Sequence, residues 1–242
     1  MRIGLTGLVL LLGMVGAVAL HYVAEVRDAR RDTPDLVAAA FDQFGSELTL
    51  DDLSVEREQM LLAVQDPTFR RHRGVDLATP GAGMTTLTQA LVKLLYFPDG
   101  FRQGVAKIRQ TLIAEYALDA LVSKDEQLRL FLNIAYLGHE EGRAVHGSAD
   151  AARTYFGEEF QDLGDDEFLA LVAMLVNPNS HKPGTRPSRE RLERIRVYLA
   201  GDYTPTALLD QEYRAGDSRP GFAARMLMAL LRIITDADPE SA

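Results

Sequence analysis

The chain opens with an unbroken apolar run: no charged residue appears from Ile3 to Leu20, and His21 to Ala24 extend it weakly. Such a run is long enough to cross a hydrocarbon core of roughly 30 Å as one helix. Beyond it, apolar positions recur at helical spacing over Leu36 to Phe44, Val55 to Val64, Thr86 to Tyr96, Gly104 to Leu121, Lys124 to Tyr136, Asp165 to Leu175 and Ser188 to Leu199. Asp32-Thr33-Pro34-Asp35 reads as a linker ending at a helix start, with proline in the first turn. Ser123 and Glu126 form a capping-box pattern before an apolar run. Phe222 to Ile234 predicts a last apolar helix, too short to span a bilayer; it reads as core, with membrane-surface contact as the lesser alternative. Sustained alternation is scarce, so the expected fold is mostly α. The pattern divides the chain into an anchor over 1–24, a linker over 25–35, a helical domain over 36–235 and a tail over 236–242. Gly- and Pro-rich loops fall at 74–83 and 177–187.

Composition narrows the function. Hydrophobic residues make up 47% and charged residues 25% of the 242 positions, which suits a packed domain. The net charge of −9 argues against a nucleic-acid partner. There is no cysteine, which excludes disulfides, thiolate catalysis and zinc–thiolate sites. Ala17-Val18-Ala19 has the form of a signal-peptide cleavage site, but the apolar core is longer than that of a usual signal peptide, which favours an uncleaved anchor. Arg2 precedes the span while Arg27, Arg30 and Arg31 follow it, so the positive-inside rule by itself would hold the domain in the cytoplasm.

Three segments carry candidate chemistry. The first, Gln65 to Asp76, taken alone is a mixed-charge turn. The second runs from Gly81 to Lys93: a glycine loop opens a helix whose first-turn N–H groups could receive a phosphate. Thr86, Gln89 and Lys93 share a face of that helix and could hold a pyrophosphate; the alternative is an N-cap threonine with a solvated lysine. The third runs from Ser123 to Asn133 and on to Tyr136-Leu137-Gly138. It sets Arg129 and Asn133 one turn apart, where Asn133 could equally tie a loop to the helix.

In order and spacing these segments resemble the motifs of glycosyltransferase family 51, the domain of class A penicillin-binding proteins and monofunctional peptidoglycan transglycosylases. Asp66, Phe69, His72 and Gly74 match E-D-x-x-F-x-x-H-x-G. Gly83, Thr86, Thr88, Gln89 and Lys93 match G-x-S-T-x-T-Q-Q-x-x-K-N. Ser123, Lys124, Leu128, Leu132 and Asn133 match S-K-x-x-I-L-E-x-Y-L-N, and Ala151 to Gly157 match A-A-R-x-Y-F-G. The resemblance implies a lysozyme-like helical domain with a membrane-dipping subdomain, on the outer face of a bacterial cytoplasmic membrane. It implies lipid II or a related polyprenyl-linked glycan as ligand, other cell-wall synthesis proteins as partners, and no cofactor. The implied reaction is attack of a sugar 4-hydroxyl on the donor's anomeric carbon with release of undecaprenyl pyrophosphate. That needs a carboxylate base and cationic groups for the pyrophosphate.

The departures fall on the acids. The family's catalytic glutamate aligns with Gln65, whose amide has no useful basicity, and the later-motif glutamate aligns with Arg129. The R-K-x-x-E motif is blurred around Lys107-Ile108-Arg109, and its acid becomes Gln110 or Thr111. Met84, Ala90 and Leu94 replace family residues as well. The candidate site is therefore Gln65 and Asp66 at the catalytic position, with His72, Thr86, Thr88, Gln89, Lys93, Lys107, Arg109, Arg129 and Asn133 for substrate. Glu115 is a candidate substitute base or else a surface charge; Asp119, Glu140 and Glu141 read as solvated. His139 and His146 lack the H-E-x-x-H spacing of a zinc site, so no metal is expected. No serine is followed three residues later by lysine and K-T-G is absent, so no penicillin-binding domain is expected. Two functions stay open, a divergent transferase and an inactive module that holds glycan or precursor beside a true polymerase, with a vestigial cleft behind them.

Overall fold

In a computed structural model that describes residues 2–102, 104–214, 220–235 and 237, the chain is mostly α-helical. The first helix, α1, runs from Arg2 to Phe44 without a break. Its outer half is long and apolar enough to cross a membrane, and none of that window is buried. The expected linker at 25–35 is instead helix, although Pro34 cannot donate a backbone hydrogen bond there. Tertiary packing holds it: Ala29, Thr33 and Ala40 are buried, and the Thr33 hydroxyl bonds both Ala29 O at 2.7 Å and the Tyr96 hydroxyl at 2.6 Å.

The domain proper consists of α2 (Val55–Gln65), α3 (Leu87–Tyr96), α4 (Val105–Ile113), a π-helical segment (Ala114–Asp119), α5 (Lys124–Ile134), α6 (Ser148–Phe156), α7 (Asp165–Met174), α8 (Arg186–Leu199) and α9 (Phe222–Ile234). Local chemistry sets the starts. Ser54, Thr86, Ser123 and Thr185 each cap a helix by accepting from an N–H three residues on. A π-helical turn within a longer helix accommodates one extra residue; here it widens the run after α4, which the sequence predicts as a single helix to Leu121. Two elements were not read from the sequence, α6 and an antiparallel hairpin, β1 (Tyr136–Glu140) with β2 (Arg143–His146). In the hairpin Tyr136 pairs with His146 and Glu140 with Arg143 across a bulge. Gly147, at φ 79°, leads the hairpin into α6, and a Cβ there would lie 2.4 Å from Asn133 O, so only glycine lets the hairpin close on the end of α5.

The core threads α3, the end of α4, the π segment and α5 through Leu91, Ile113, Leu118, Leu128 and Leu132. α7 packs on α2 and α8, and α1 lies against α3, α4 and α5. A cleft opens where the end of α2 meets the start of α3 and the end of α7.

Candidate active site

The cleft holds about 440 Å³ and is lined by Gln65, Thr85, Thr86, Lys93, Tyr136 and Gln211 among its polar residues, with Leu87, Leu94, Phe131 and Leu175 among its apolar ones. Gln65, the last residue of α2, donates from Nε2 to Val172 O on α7 at 2.8 Å, which fixes the amide at the wall. A second cavity of about 310 Å³ adjoins it and shares Thr85 and Lys93; Met84, Phe101, Lys107, Gln110 and the inner side of α9 complete its lining. Among the described residues no aspartate or glutamate lines either space.

The geometry redistributes the residues expected at the site. Asp66 turns away from the cleft. It is buried, accepts from His72 Nε2 at 2.9 and 3.0 Å, and accepts the Leu87 N–H at 2.8 Å. His72 Nδ1 in turn accepts the Gly74 N–H at 2.9 Å, so the ring proton sits on Nε2 and points at Asp66. Asp66 thus places a carboxylate at the N-terminal end of α3, the position where an external phosphate was expected. The glycine loop is also committed. Gly81 N–H donates to Ala207 O at 2.9 Å and Gly83 N–H to Leu208 O at 2.7 Å. The Gln211 amide lies across Gly83, where a Cβ would come within 2.0 Å of it. The expected anion cradle is closed by the chain's own carbonyls and its own carboxylate.

The other polar residues are mostly structural. Thr86 is the N-cap of α3, accepting the Gln89 N–H and donating to Gly74 O at 2.7 Å. Thr88 is buried and donates to Gln127 Oε1 at 2.7 Å. Gln89 is buried too, donating to Thr111 Oγ1 at 3.0 Å and accepting from Thr86 N and Lys107 Nζ. Asn133 ties α5 to the chain after α1, accepting from Leu48 N at 2.9 Å and donating to Leu48 O at 2.8 Å. Arg109 pairs with Glu25 of α1 at 2.6 Å, and Arg129 lies over the Phe41 ring of α1. Neither arginine lines the cleft. Glu115 is buried on the π segment rather than solvated, and lines neither cavity. Asp119 takes Lys124 at 2.6 Å and Glu140 takes Lys182 at 2.8 Å.

Among the described residues two cations, Lys93 and Lys107, line the two spaces. Lys93 stands between the two cavities, its ammonium 5.2 Å from the Phe101 ring centre, and burial lowers its pKa. Lys107 donates to Met84 O at 2.5 Å and to Gln89 Oε1 at 3.2 Å; burial, with the nearby Lys93 charge adding to it, lowers its pKa to about 7. Beside them Gln110 donates to Gln89 O at 2.6 Å, while its Oε1 is buried without a hydrogen-bond partner. Of the other lining residues, Tyr136 belongs to the third candidate segment, whereas Thr85 and Gln211 are not among the expected site residues. Gln211 comes to the cleft through long-range packing, and no local pattern marks it.

The fold is a lysozyme-like helical domain set behind a long apolar helix. Residues 36–201 match the Transglycosylase family, and the chain belongs to that family. Penicillin-binding protein 1B of Vibrio cholerae is 32% identical over 66% of this chain and 22% of its own length. Penicillin-binding protein 1F of Bacillus subtilis is 26% identical over 72% of this chain and 25% of its own length. A protein of Cupriavidus necator that carries the transglycosylase name is 27% identical over 78% of this chain and 84% of its own. The chain therefore spans about a fifth of the penicillin-binding protein 1B relatives it matches, 22% and 18% of their lengths.

Proposed function

We propose that this protein binds a polyprenyl-pyrophosphate-linked glycan, lipid II or a close relative, and does not polymerise it. The observation that carries this reading is the lining of the cleft: Gln65 and Lys93 are present, and no carboxylate lines it among the described residues. A base that takes a hydroxyl proton must lie within hydrogen-bond reach of it. An amide fixed on Val172 O can hold a sugar hydroxyl and cannot accept its proton. The ligand's charged linkage would meet Lys93 and Lys107, and its sugars the amides of Gln65 and Gln211 with the Tyr136 ring.

Binding is expected to depend on both lysines. A protonated Lys107 favours an anion, so affinity should rise as the pH falls through about 7, while the pyrophosphate keeps its charge. Lys93→Ala should weaken binding by roughly 1.5–3 kcal/mol, the loss of a charge-assisted contact. Both are read in one titration of lipid II against the detergent-solubilised full chain and the variant across neutral pH. Equal affinity for the two proteins at every pH would remove the cleft from the binding role.

We further propose that the domain lies on the outer face of the cytoplasmic membrane, with α1 as a single span. The arginines after the span oppose that orientation by the charge rule, so the topology calls for a direct test. A C-terminal alkaline phosphatase fusion is expected to be active, and one that is silent beside an active cytoplasmic reporter would reverse the orientation.

A further inference from the structure

Helix α9 lies outside the family-matched stretch of 36–201 and carries a feature the cleft does not explain. Phe222 is 72% exposed, Met226 57%, Leu230 42% and Ile233 81%. Their spacing of four, four and three residues sets them on one stripe of the helix. Arg225 and Arg232, seven residues apart, run along one flank of the stripe, and the helix contains no acidic residue. A water-exposed apolar stripe with a basic flank is the pattern of a helix that lies in a membrane interface.

Hydrogen bonds fix where this stripe stands relative to α1. Arg109 on α4 pairs with Glu25, directly after the apolar run, and Arg30 donates to Tyr116 O on the π segment at 2.5 Å. α4 and the π segment therefore rise alongside α1 in the same direction. Tyr116 donates from its hydroxyl to Ile234 O at 3.0 Å, which sets the C-terminal end of α9 at the level of residue 30. The N-terminal end lies lower, because Ala223 and Ala224 share the second cavity with Gly104 and Lys107. Residue 30 is about 9 Å along α1 from Ala24, at 1.5 Å per residue. Phe222 and Met226 thus come to the level at which α1 leaves its apolar run, where Val105 at the start of α4 is also exposed.

We infer that α9 is seated in the bilayer interface, its Phe222 end deepest, with Arg225 toward anionic headgroups while Arg232 is held on Leu77 O. The occupant of the stripe is the lipid surface, by continuity with the apolar face of α1 and by the sign of the flanking charge. The inference rests on α1 crossing the membrane. The opposite side of α9, through Ala223, Ala224 and Leu227, walls the cavity that holds Lys93 and Lys107. Seating α9 would open that cavity directly beside the headgroup layer, from which a lipid-linked anion would enter.

The chain has no tryptophan, so a single introduced indole reports alone. The full chain is reconstituted into nanodiscs of phosphatidylethanolamine and phosphatidylglycerol, with and without dibrominated acyl chains. Phe222→Trp and Met226→Trp are expected to give blue-shifted emission quenched by the brominated lipid, and Ile233→Trp to be quenched less. Val197→Trp, exposed on α8, should stay unquenched. Leu12→Trp reports the span itself. If Leu12→Trp is quenched while Phe222→Trp and Met226→Trp emit as in water, the anchor stands and the seating of α9 is overturned. If all three emit as in water, the span fails and takes this inference with it. Blue-shifted but unquenched indoles on α9, in a chain that sediments as a dimer, would overturn the proposal and give the stripe to a second copy.

Discussion

Incubated with lipid II, the purified full-length chain is expected to make glycan strands at least about 10²-fold more slowly than an active relative, the lower bound for loss of a general base. The reason lies at one wall of the cleft. Gln65 stands where the family resemblance puts the catalytic glutamate, and its amide is spent on Val172 O. Neighbouring acids do not replace it: Asp66 is locked onto His72 and Leu87 N–H, and Glu115 does not line the cleft. Gln65→Glu should restore little. A carboxylate at this position loses the bond to Val172 O and meets a carbonyl oxygen instead, and the family pattern's other acid is also replaced, by Gln110 or Thr111. Strand synthesis is read by gel separation of labelled product, with binding measured in parallel. Rapid polymerisation by the unmodified protein would sink the non-polymerising reading and require a base brought in from elsewhere.

Asp66→Ala is expected to cost the fold roughly 2–6 kcal/mol, because it orphans two buried donors at about 1–3 kcal/mol each. Those donors are His72 Nε2–H and Leu87 N–H, and both lie where water does not reach them. The same substitution strips the N-terminal end of α3 of its facing negative charge. Asp66→Asn keeps one acceptor and should lose less. Lys93→Ala, which removes a desolvated charge, should leave stability near the wild type while weakening the ligand. Urea denaturation of the three variants in one detergent gives the order directly. If Asp66→Ala is as stable as Lys93→Ala, the aspartate does not hold the α2–α3 corner as described.

The helical periods of residues 55–64, 165–175 and 222–234 were read within a residue or two of their ends, because they depend on neighbours along the chain. The hairpin at 136–146 was missed: five- and four-residue strands with a bulge leave no sustained alternation. Among the expected site residues, Gln65, Thr86 and Lys93 line the cleft, whereas Thr88, Arg109, Arg129 and Asn133 do not. Motif position placed all of them near one another, and only side-chain direction separates those that face the ligand space from those that hold the walls.

By itself the sequence determined the mostly α fold, the order of the motifs and hence the family, and the absence of a base at position 65, which follows from the chemistry of an amide in any fold. The tertiary structure decided what each polar group has left to offer. The N–H groups of Gly81 and Gly83 reach carbonyls of residues 207 and 208, Asn133 reaches Leu48, and Arg109 reaches Glu25. Each partner lies 80 or more residues away, so no local period could reveal that the group is already satisfied. Pro34 makes the same point for the backbone. Its local preference is to start or break a helix, and the contacts of Thr33 and its neighbours with α3 carry α1 straight through it. Hydrogen bonds made across the fold, and not the residues' types, set which groups remain for a ligand.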